Sequence, residues 1–119
     1  IKVFDMNNKI RLESKTEYSI ISLTGELEMS DLADMQECFQ SSFEASNYSI
    51  VLNCKDLEIL LSAHLGMIYQ RHQVALKRGG KIVVVGCNDI VEQAFKRLGF
   101  DRIIEILEDE SDVSKAFSI

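Results

Sequence analysis

The sequence predicts a single α/β domain built on a central mixed, mostly parallel sheet with helices packed around it. Strand-like and helical patterns alternate from residue 31 onward, which is typical of parallel strands joined by crossover helices. Two unbroken apolar runs, residues 50–52 and 82–85, suit strands that are covered on both faces. The chain has 119 residues and shows no linker and no repeat, so residues 1–119 are predicted to form one domain.

The N-terminal third is predicted to be mainly strand. Residues 1–5 alternate apolar and polar side chains, which indicates an extra edge strand or an N-terminal extension within residues 1–9. Residues 10–13 and 18–23 predict a hairpin across a polar turn. An unpaired edge strand can pair with the same strand of a second copy, so a homodimer through this edge is one prediction.

Helices and strands then alternate. Gly25 is predicted to end the second hairpin strand, and Ser30 or Asp31 to cap a helix over residues 31–45. A strand over residues 48–53 precedes a loop and a helix that runs from about residue 63 to 78, with Ser62 as its N-cap. The remaining elements are predicted as a strand at 81–85, a helix capped by Asn88 or Asp89 with Glu92 in a capping box, a strand at 103–106 and a helix at 109–117. The predicted core stripes include Leu76 and Leu98, and Gly99 is predicted to stop the third helix.

Composition excludes several classes of partner and compartment. The net charge of −6 disfavours nucleic acid and anionic membrane surfaces, and no apolar run is long enough for membrane insertion. The three cysteines, Cys38, Cys54 and Cys87, are odd in number, widely spaced and in apolar company. They are predicted to be buried free thiols in a reducing compartment, so the expected location is cytoplasmic. The chain begins with Ile, which leaves open that it is a domain of a longer protein.

No enzyme signature is present, and neither a cofactor nor a metal is expected. The six glycines never fall at the spacing of a phosphate-binding loop. His64 and His72 are eight residues apart in one helix, about 12 Å, which is too far for one metal ion. His72 is predicted to lie at the surface or its rim. His64 is expected at the surface in the first turn of the helix, either as an ordinary polar residue or as a contact.

Two further features have two interpretations each. Glu26 and Glu28 are either solvated loop carboxylates or partner contacts. Ser62 is either a helix cap or a phosphorylation site, where a phosphate would meet the positive end of the helix dipole.

Four segments together resemble the STAS domains, the family of the anti-sigma-factor antagonists. Residues 18–28, which contain Leu-Thr-Gly-Glu-Leu-Glu, resemble the family's L-x-G-x-L-D element. Residues 50–57 resemble its central strand and the Asp-Leu that follows. Residues 78–85 resemble its R-G-G segment and strand, and residues 95–100 its late helix with a glycine stop. The resemblance spans roughly residues 10–117 and implies the STAS fold.

The resemblance also implies a defect in the family's phosphorylation loop. That loop usually reads D-S-S-G-L-G or D-S-T-G-L-G, and its second hydroxyl is phosphorylated by a partner that is both anti-sigma factor and serine kinase. Aligned on the Leu-Gly pair at residues 65–66, this chain has Leu61, Ser62, Ala63 and His64 in the first four places. Ala63 has no hydroxyl, so the usual switch cannot operate there.

The resemblance therefore implies a regulatory binding module rather than an enzyme. The expected partner is an anti-sigma factor/serine kinase or a related regulator. The predicted partner-binding residues are Glu26, Glu28, Ser30, Leu61, Ser62, Ala63, His64, Asn88 and Asp89, and Ser62 is a candidate phosphorylation site. Replacing His64 by alanine is expected to weaken partner binding with little change in melting temperature. The alternative is a constitutive STAS scaffold or transporter-associated subunit, which loss of the phospho-acceptor also suits.

Overall fold

The computed structural model describes residues 2–119, so Ile1, where the predicted first strand begins, lies outside the described residues. Strands and helices follow in the predicted order. Within residues 2–119 the strands are β1 (Lys2–Asn7), β2 (Ile10–Ser14), β3 (Ser19–Glu26), β4 (Ser49–Ile59), β5 (Lys81–Val85) and β6 (Glu105–Leu107). The α-helices there are α1 (Leu32–Glu44), α2 (Ser62–Lys77), α3 (Asp89–Arg97) and α4 (Val113–Ala116). Short 3-10 helices cover Met29–Asp31, Phe100–Arg102 and Glu110–Asp112.

The strands form one sheet in sequential order from β1 to β6. The first three pair antiparallel, whereas β3 to β6 pair parallel, which confirms the predicted hairpin and the mostly parallel sheet. Because the parallel strands are added in one direction by right-handed crossovers, α1, α2 and α3 lie on the same face. β1 forms one edge of the sheet, where Val3 and Phe4 are exposed, and a homodimer through this edge stays a prediction.

The central strands are covered on both faces, as their unbroken apolar runs predict. Ile50 and Leu52 belong to the main core together with Phe39 of α1. Val51, between them, packs on the other face in a smaller cluster with Val113 of α4. Neighbours along a strand point to opposite faces, so a strand that is buried on both sides has no polar alternation to show.

Two strands extend further than predicted. β3 continues to Glu26 and β4 to Ile59, beyond the expected ends at residues 23 and 53. The two strands remain paired up to Glu26 opposite Ile59, with irregularities in the register on the way. Gly25 has a φ of 75°, which glycine adopts without strain, so the strand deforms there and does not end. The loop predicted between the strand that ends at residue 53 and the helix that begins at about residue 63 is therefore reduced to residues 60–61.

The C-terminal part is less helical than predicted. β6 starts at Glu105 because a 3-10 turn takes up the chain after α3. Gly99 precedes that turn with a φ of 74°, which confirms the predicted glycine stop. The last predicted helix, residues 109–117, is reduced to a 3-10 turn followed by α4, and Asp109 accepts a hydrogen bond from the N–H of Ser111 (3.1 Å) at its start.

Three residues on the helices are placed differently from the prediction. Leu76 and Leu98 were predicted to be core residues, and this is wrong, because their exposed fractions are 49% and 47%. The prediction that His72 lies at the surface or rim is also wrong, because only 3% of it is exposed. Its Nδ1 accepts a hydrogen bond from the N–H of Ile82 (3.1 Å). Burial lowers the pKa of His72, partly opposed by a hydrogen bond with the backbone of Ile103.

Candidate functional site

The predicted site residues come from three segments that meet where the parallel strands end. The N–H of Leu27, just after β3, donates to the carbonyl of Ile59 at the end of β4 (2.9 Å). The Asn88 side chain, at the start of α3, donates through Nδ2 to the carbonyl of Leu57 (3.1 Å). These bonds confirm that the ends of β3 and β4 and the start of α3 lie together.

The buried side chain of His64 connects two backbone segments at this end of the sheet through hydrogen bonds. The N–H of Leu61 donates to Nδ1 of His64 (2.9 Å), so Nε2 carries the proton and donates to the carbonyl of Glu28 (3.0 Å). The imidazole therefore joins the start of α2 to the loop after β3. The expectation that His64 lies at the surface is wrong, because its exposed fraction is 0%. It holds the backbone of two neighbouring segments and does not present its ring to a partner.

Ser62 is not the N-cap of α2. The helix begins at Ser62, and the N-cap is Leu61, whose backbone is extended with φ −97° and ψ 165°. Leu61 has no polar side chain to accept the free N–H groups of the first turn, but His64, the third residue of the helix, accepts the N–H of Leu61. The Ser62 side chain is exposed, and that of Ala63 is half-buried.

Asp31 fixes the segment from the end of β3 to the start of α1, which carries Glu26, Glu28 and Ser30, and all three are exposed. Its carboxylate accepts the N–H of Glu28 (2.8 Å) and forms an ion pair with Lys9 (3.0 Å). Although burial raises the pKa of Asp31, these two partners outweigh it and hold that pKa below the usual value. The prediction that Ser30 or Asp31 caps α1 through its side chain is wrong. Asp31 directly precedes α1 but makes no side-chain cap hydrogen bond to it, because its carboxylate reaches back to the N–H of Glu28 across the 3-10 turn.

Asn88 caps α3 as predicted, since its Oδ1 accepts the N–H of Val91 (2.8 Å). Asp89 is the first residue of α3 and is exposed. Glu92 does not complete the expected capping box with Asp89 and instead forms an ion pair with Lys96 (2.9 Å). Asn88 thus has two tasks, because its amide nitrogen also bonds to β4.

Exposed apolar side chains surround these polar residues, and sequence reasoning identified one of them, Leu61. Met29, Ile59, Leu61 and Ile90 are exposed by 60%, 40%, 37% and 64%. Ile59 ends β4 and Leu61 precedes α2, whereas Met29 begins the 3-10 turn after β3 and Ile90 lies in the first turn of α3. We call this region the apical surface and define it by Glu26, Glu28, Met29, Ser30, Ile59, Leu61, Ser62, Asp89 and Ile90. The exposure of Ile90 could have been predicted from the sequence, because this residue lies outside the apolar stripe of α3.

The apical surface combines exposed apolar side chains with exposed acidic ones. Within residues 2–119, no group of three His, Cys, Asp or Glu side chains could hold a metal ion. Across the same residues, none of the helices combines the length and the apolar character that crossing a membrane requires. The acidic groups Glu26, Glu28 and Asp89 border the apolar ones, which is the pattern of an interface with an apolar centre and a polar rim.

Comparison with known proteins agrees with this architecture. Residues 9–113 match the family model described as STAS domain. The chain is 31% identical over 109 residues to a Paenibacillus polymyxa protein named anti-sigma F factor antagonist, covering 88% of this chain and 91% of that one.

Solved structures show the same fold at lower identity. An anti-sigma factor antagonist from Mycobacterium paratuberculosis superposes with a TM-score of 0.82 at 17% identity, covering 99% of this chain and 96% of the other. The unphosphorylated anti-sigma factor antagonist SpoIIAA gives 0.80 at 19% identity, covering 92% and 97%. The phosphorylated Bacillus SpoIIAA gives 0.72 at 18% identity, covering 90% and 98%. With a family model that spans most of its length and a relative of 31% identity, this chain belongs to the STAS domain family.

Proposed function

We propose that this chain is a regulatory protein-binding module of the anti-sigma-factor-antagonist type, acting in a bacterial partner-switching pathway. Its partner is an anti-sigma factor with serine kinase activity or a related regulator. The observation that carries the proposal is the apical surface, where apolar side chains as exposed as Met29 (60%) and Ile90 (64%) project beside acidic groups. The relative named anti-sigma F factor antagonist supports the same class of function.

The apical surface is suited to binding because its backbone is already held in place. Burying apolar area contributes about 25 cal/mol per Å² before the costs of association. Those costs are smaller when loops need not be ordered on binding. The bonds of His64, Asp31 and Asn88 supply that order in the free protein. The partner we expect has an apolar hollow for Leu61 and Ile90, bordered by Lys or Arg side chains that face the carboxylates.

Regulation differs from the usual family switch, because Ala63 has no hydroxyl to phosphorylate. Ser62 is the neighbouring exposed hydroxyl and is the first residue of α2. A phosphate on Ser62 would meet the positive end of the helix dipole, and it would add charge beside the carboxylates of an already acidic surface. Binding at this surface is therefore proposed to be independent of phosphorylation at residue 63 and to weaken if Ser62 is phosphorylated.

A second candidate function is a constitutive STAS scaffold or a transporter-associated subunit. Ala63 favours it, because a fixed subunit needs no phospho-acceptor. The two functions differ in their response to ATP. An antagonist bound to a kinase gains a phosphate and releases its partner, whereas a scaffold keeps its partner with or without ATP.

Calorimetric titration with candidate anti-sigma factor kinases, with and without ATP, tests the proposal when intact mass is followed in parallel. For a switched antagonist we expect binding without ATP, then the gain of one phosphate and a loss of affinity. The Ser62→Ala variant should keep its affinity in ATP, and the Ser30→Ala variant, which loses another exposed apical serine, should still gain the phosphate. Binding that ignores ATP, with no gain of mass, indicates the scaffold. Failure of the folded chain to bind any such regulator contradicts the proposal.

A further inference from the structure

Two of the three cysteines lie where the pairing between β4 and β5 ends. The last paired residues of these strands are Asn53 and Val85, and Cys54 and Cys87 follow them. The chains stay close beyond that pair, because a Cβ added at Gly86 would lie 3.0 Å from the Cα of Lys55. Adjacent strands are about 4.8 Å apart, and disulfides span Cα separations of about 4.4–6.8 Å. The two backbones therefore run within the reach of one disulfide.

The two side chains occupy the same layer of the molecule. Cys54 is fully buried in the main core, and Cys87 is half-buried and packs against that core. The neighbouring Cys54 thiol lowers the pKa of Cys87, against burial and the Glu92 carboxylate, which raise it. The Cys87 thiol and burial raise the pKa of Cys54.

Cys38 provides the internal comparison. It is buried in α1, and burial with the carboxylates of Asp34 and Glu37 raises its pKa to about 12. Thiolate, not thiol, reacts with oxidants, and access also matters. Cys87 has both the lower pKa and the greater exposure, whereas Cys38 has neither.

We propose that Cys54 and Cys87 form a dithiol that hydrogen peroxide converts into an intramolecular disulfide. This modification site goes beyond the proposed function and does not depend on which partner the apical surface binds. Cys87 is the attacking thiol, because peroxide can reach it. Cys54 is the resolving thiol, because it is adjacent and sealed from solvent.

The reaction balances with one peroxide. The Cys87 thiolate attacks one peroxide oxygen and the O–O bond breaks, giving Cys87 sulfenic acid and a hydroxide that takes up a proton to become water. The Cys54 sulfur then attacks the Cys87 sulfur and the S–O bond breaks. The departing hydroxide takes the Cys54 proton and leaves as the second water. Two thiols lose two electrons and two protons in total, and one peroxide is reduced to two waters.

The bond would form directly beneath the apical surface. Asn88, the next residue after Cys87, caps α3 and donates to Leu57, three residues after Cys54. A disulfide would add a covalent link beside this hydrogen bond between β4 and α3.

The test is peroxide treatment of the reduced chain, followed by alkylation, intact mass measurement and non-reducing peptide mapping. We expect the loss of two hydrogens, a crosslinked peptide containing Cys54 and Cys87, and an alkylated Cys38. The Cys38→Ser variant should lose the same mass, whereas Cys87→Ser should lose none. In Cys54→Ser, dimedone should trap a sulfenic acid on Cys87. The wild-type peptide map needs no variant to fold. Oxidation of Cys38 as fast as Cys87, further oxygen addition to Cys87 without a crosslink, or a disulfide between two chains would each overturn the proposal.

Discussion

The loops at the two ends of the sheet are built from different residues. At the apical end Met29 and Leu61 of the loops and Ile90 at the start of α3 are exposed. At the opposite end, which we call the basal end, residues 14–17, 45–49 and 78–80 surround a hollow of about 310 Å³ lined largely by polar residues. Both ends are connections between the same strands and helices, so the difference in composition does not follow from the fold.

Buried polar bonds hold both ends. At the apical end His64 joins two backbone segments. At the basal end the Ser42 hydroxyl donates to the carbonyl of Asn47 (2.7 Å) and shares a hydrogen bond with the Ser19 hydroxyl (2.8 Å). Internal hydrogen bonding therefore does not distinguish a binding end from a connecting one. Exposed apolar side chains occur at both ends as well, because Leu98 and Ile103, in the connection between α3 and β6, are exposed by 47% and 44%. The apical end differs in that Met29, Ile59, Leu61 and Ile90 come from segments that hydrogen bonds hold together, and that these segments also carry exposed carboxylates.

The largest expected effect on stability comes from Gly80→Ala at the basal end. A Cβ at this position would lie 2.1 Å from the carbonyl oxygen of Tyr48, a backbone atom that cannot rotate away. We expect the free energy of unfolding to fall by about 3 kcal/mol, in the range of severe overpacking. Urea unfolding measures it.

Gly66→Ala is the matched control for that variant. A Cβ at Gly66 in α2 would meet nothing within 4 Å. Alanine is the better helix former, so this change should stabilise the protein by about 0.5–1 kcal/mol. Equal urea midpoints for the two variants would show that Gly80 is not constrained by its approach to Tyr48.

The second prediction concerns the apical end, where His64→Ala should lower stability and partner affinity together. It leaves the N–H of Leu61 and the carbonyl of Glu28 without their partner, at a cost of about 2 kcal/mol or more. This replaces the expectation of unchanged melting temperature that followed from a surface histidine. Melting temperature and calorimetric affinity measure the two effects.

His72→Ala is the control, because His72 is the other buried histidine of α2 and supports Ile82 in the basal half. It should lose stability while the folded protein keeps its affinity. A His64→Ala variant with lost affinity and an unchanged melting temperature would contradict the buried position of the ring. If the destabilised His64→Ala variant kept its affinity, partner binding would not depend on the hydrogen bonds by which His64 holds the apical surface.

A smaller effect is expected from acid on the apical loop. Because the pKa of Asp31 is lower in the folded protein than its usual value, this carboxylate stabilises the fold above the usual aspartate pKa. That contribution is lost as the pH falls through the lower, folded-state pKa. Asp31→Asn should be less stable at neutral pH and show a flatter decline in acid, measured by urea midpoints across the acid range. Asp56→Asn, at an exposed position of β4, should keep the wild-type slope, and an unaltered slope in Asp31→Asn would rule out this role.

The order of elements and the type of sheet were predictable, because each rests on a local pattern. The extension of β4 was not. Lys55, Asp56 and Glu58 suggest a turn in sequence, but their strand is held by pairing with β3 along its length, and the side chains of all three remain exposed. Tertiary pairing overrides local preference there.

The candidate site was predictable in location and less so in detail. Glu26, Glu28, Asn88 and Asp89 could be assigned to one end because parallel strands end together. The burial of His64 could not, because its acceptor Glu28 lies 36 residues away in the sequence. The same holds for the ion pair of Lys9 with Asp31, whose members come from a turn and a helix start.

Partner affinity of Ile90→Asp compared with Leu98→Asp tests the central claim most directly. Both residues have exposed aliphatic side chains, Ile90 by 64% and Leu98 by 47%. Ile90 lies on the apical surface at the start of α3, whereas Leu98 lies just after the end of that helix. If the apical surface binds the partner, Ile90→Asp should weaken calorimetric affinity at least tenfold, about 1.4 kcal/mol. Leu98→Asp should leave it unchanged, with both variants folded by circular dichroism. Equal affinities, or a larger loss for Leu98→Asp, would contradict the assignment of binding to the apical surface.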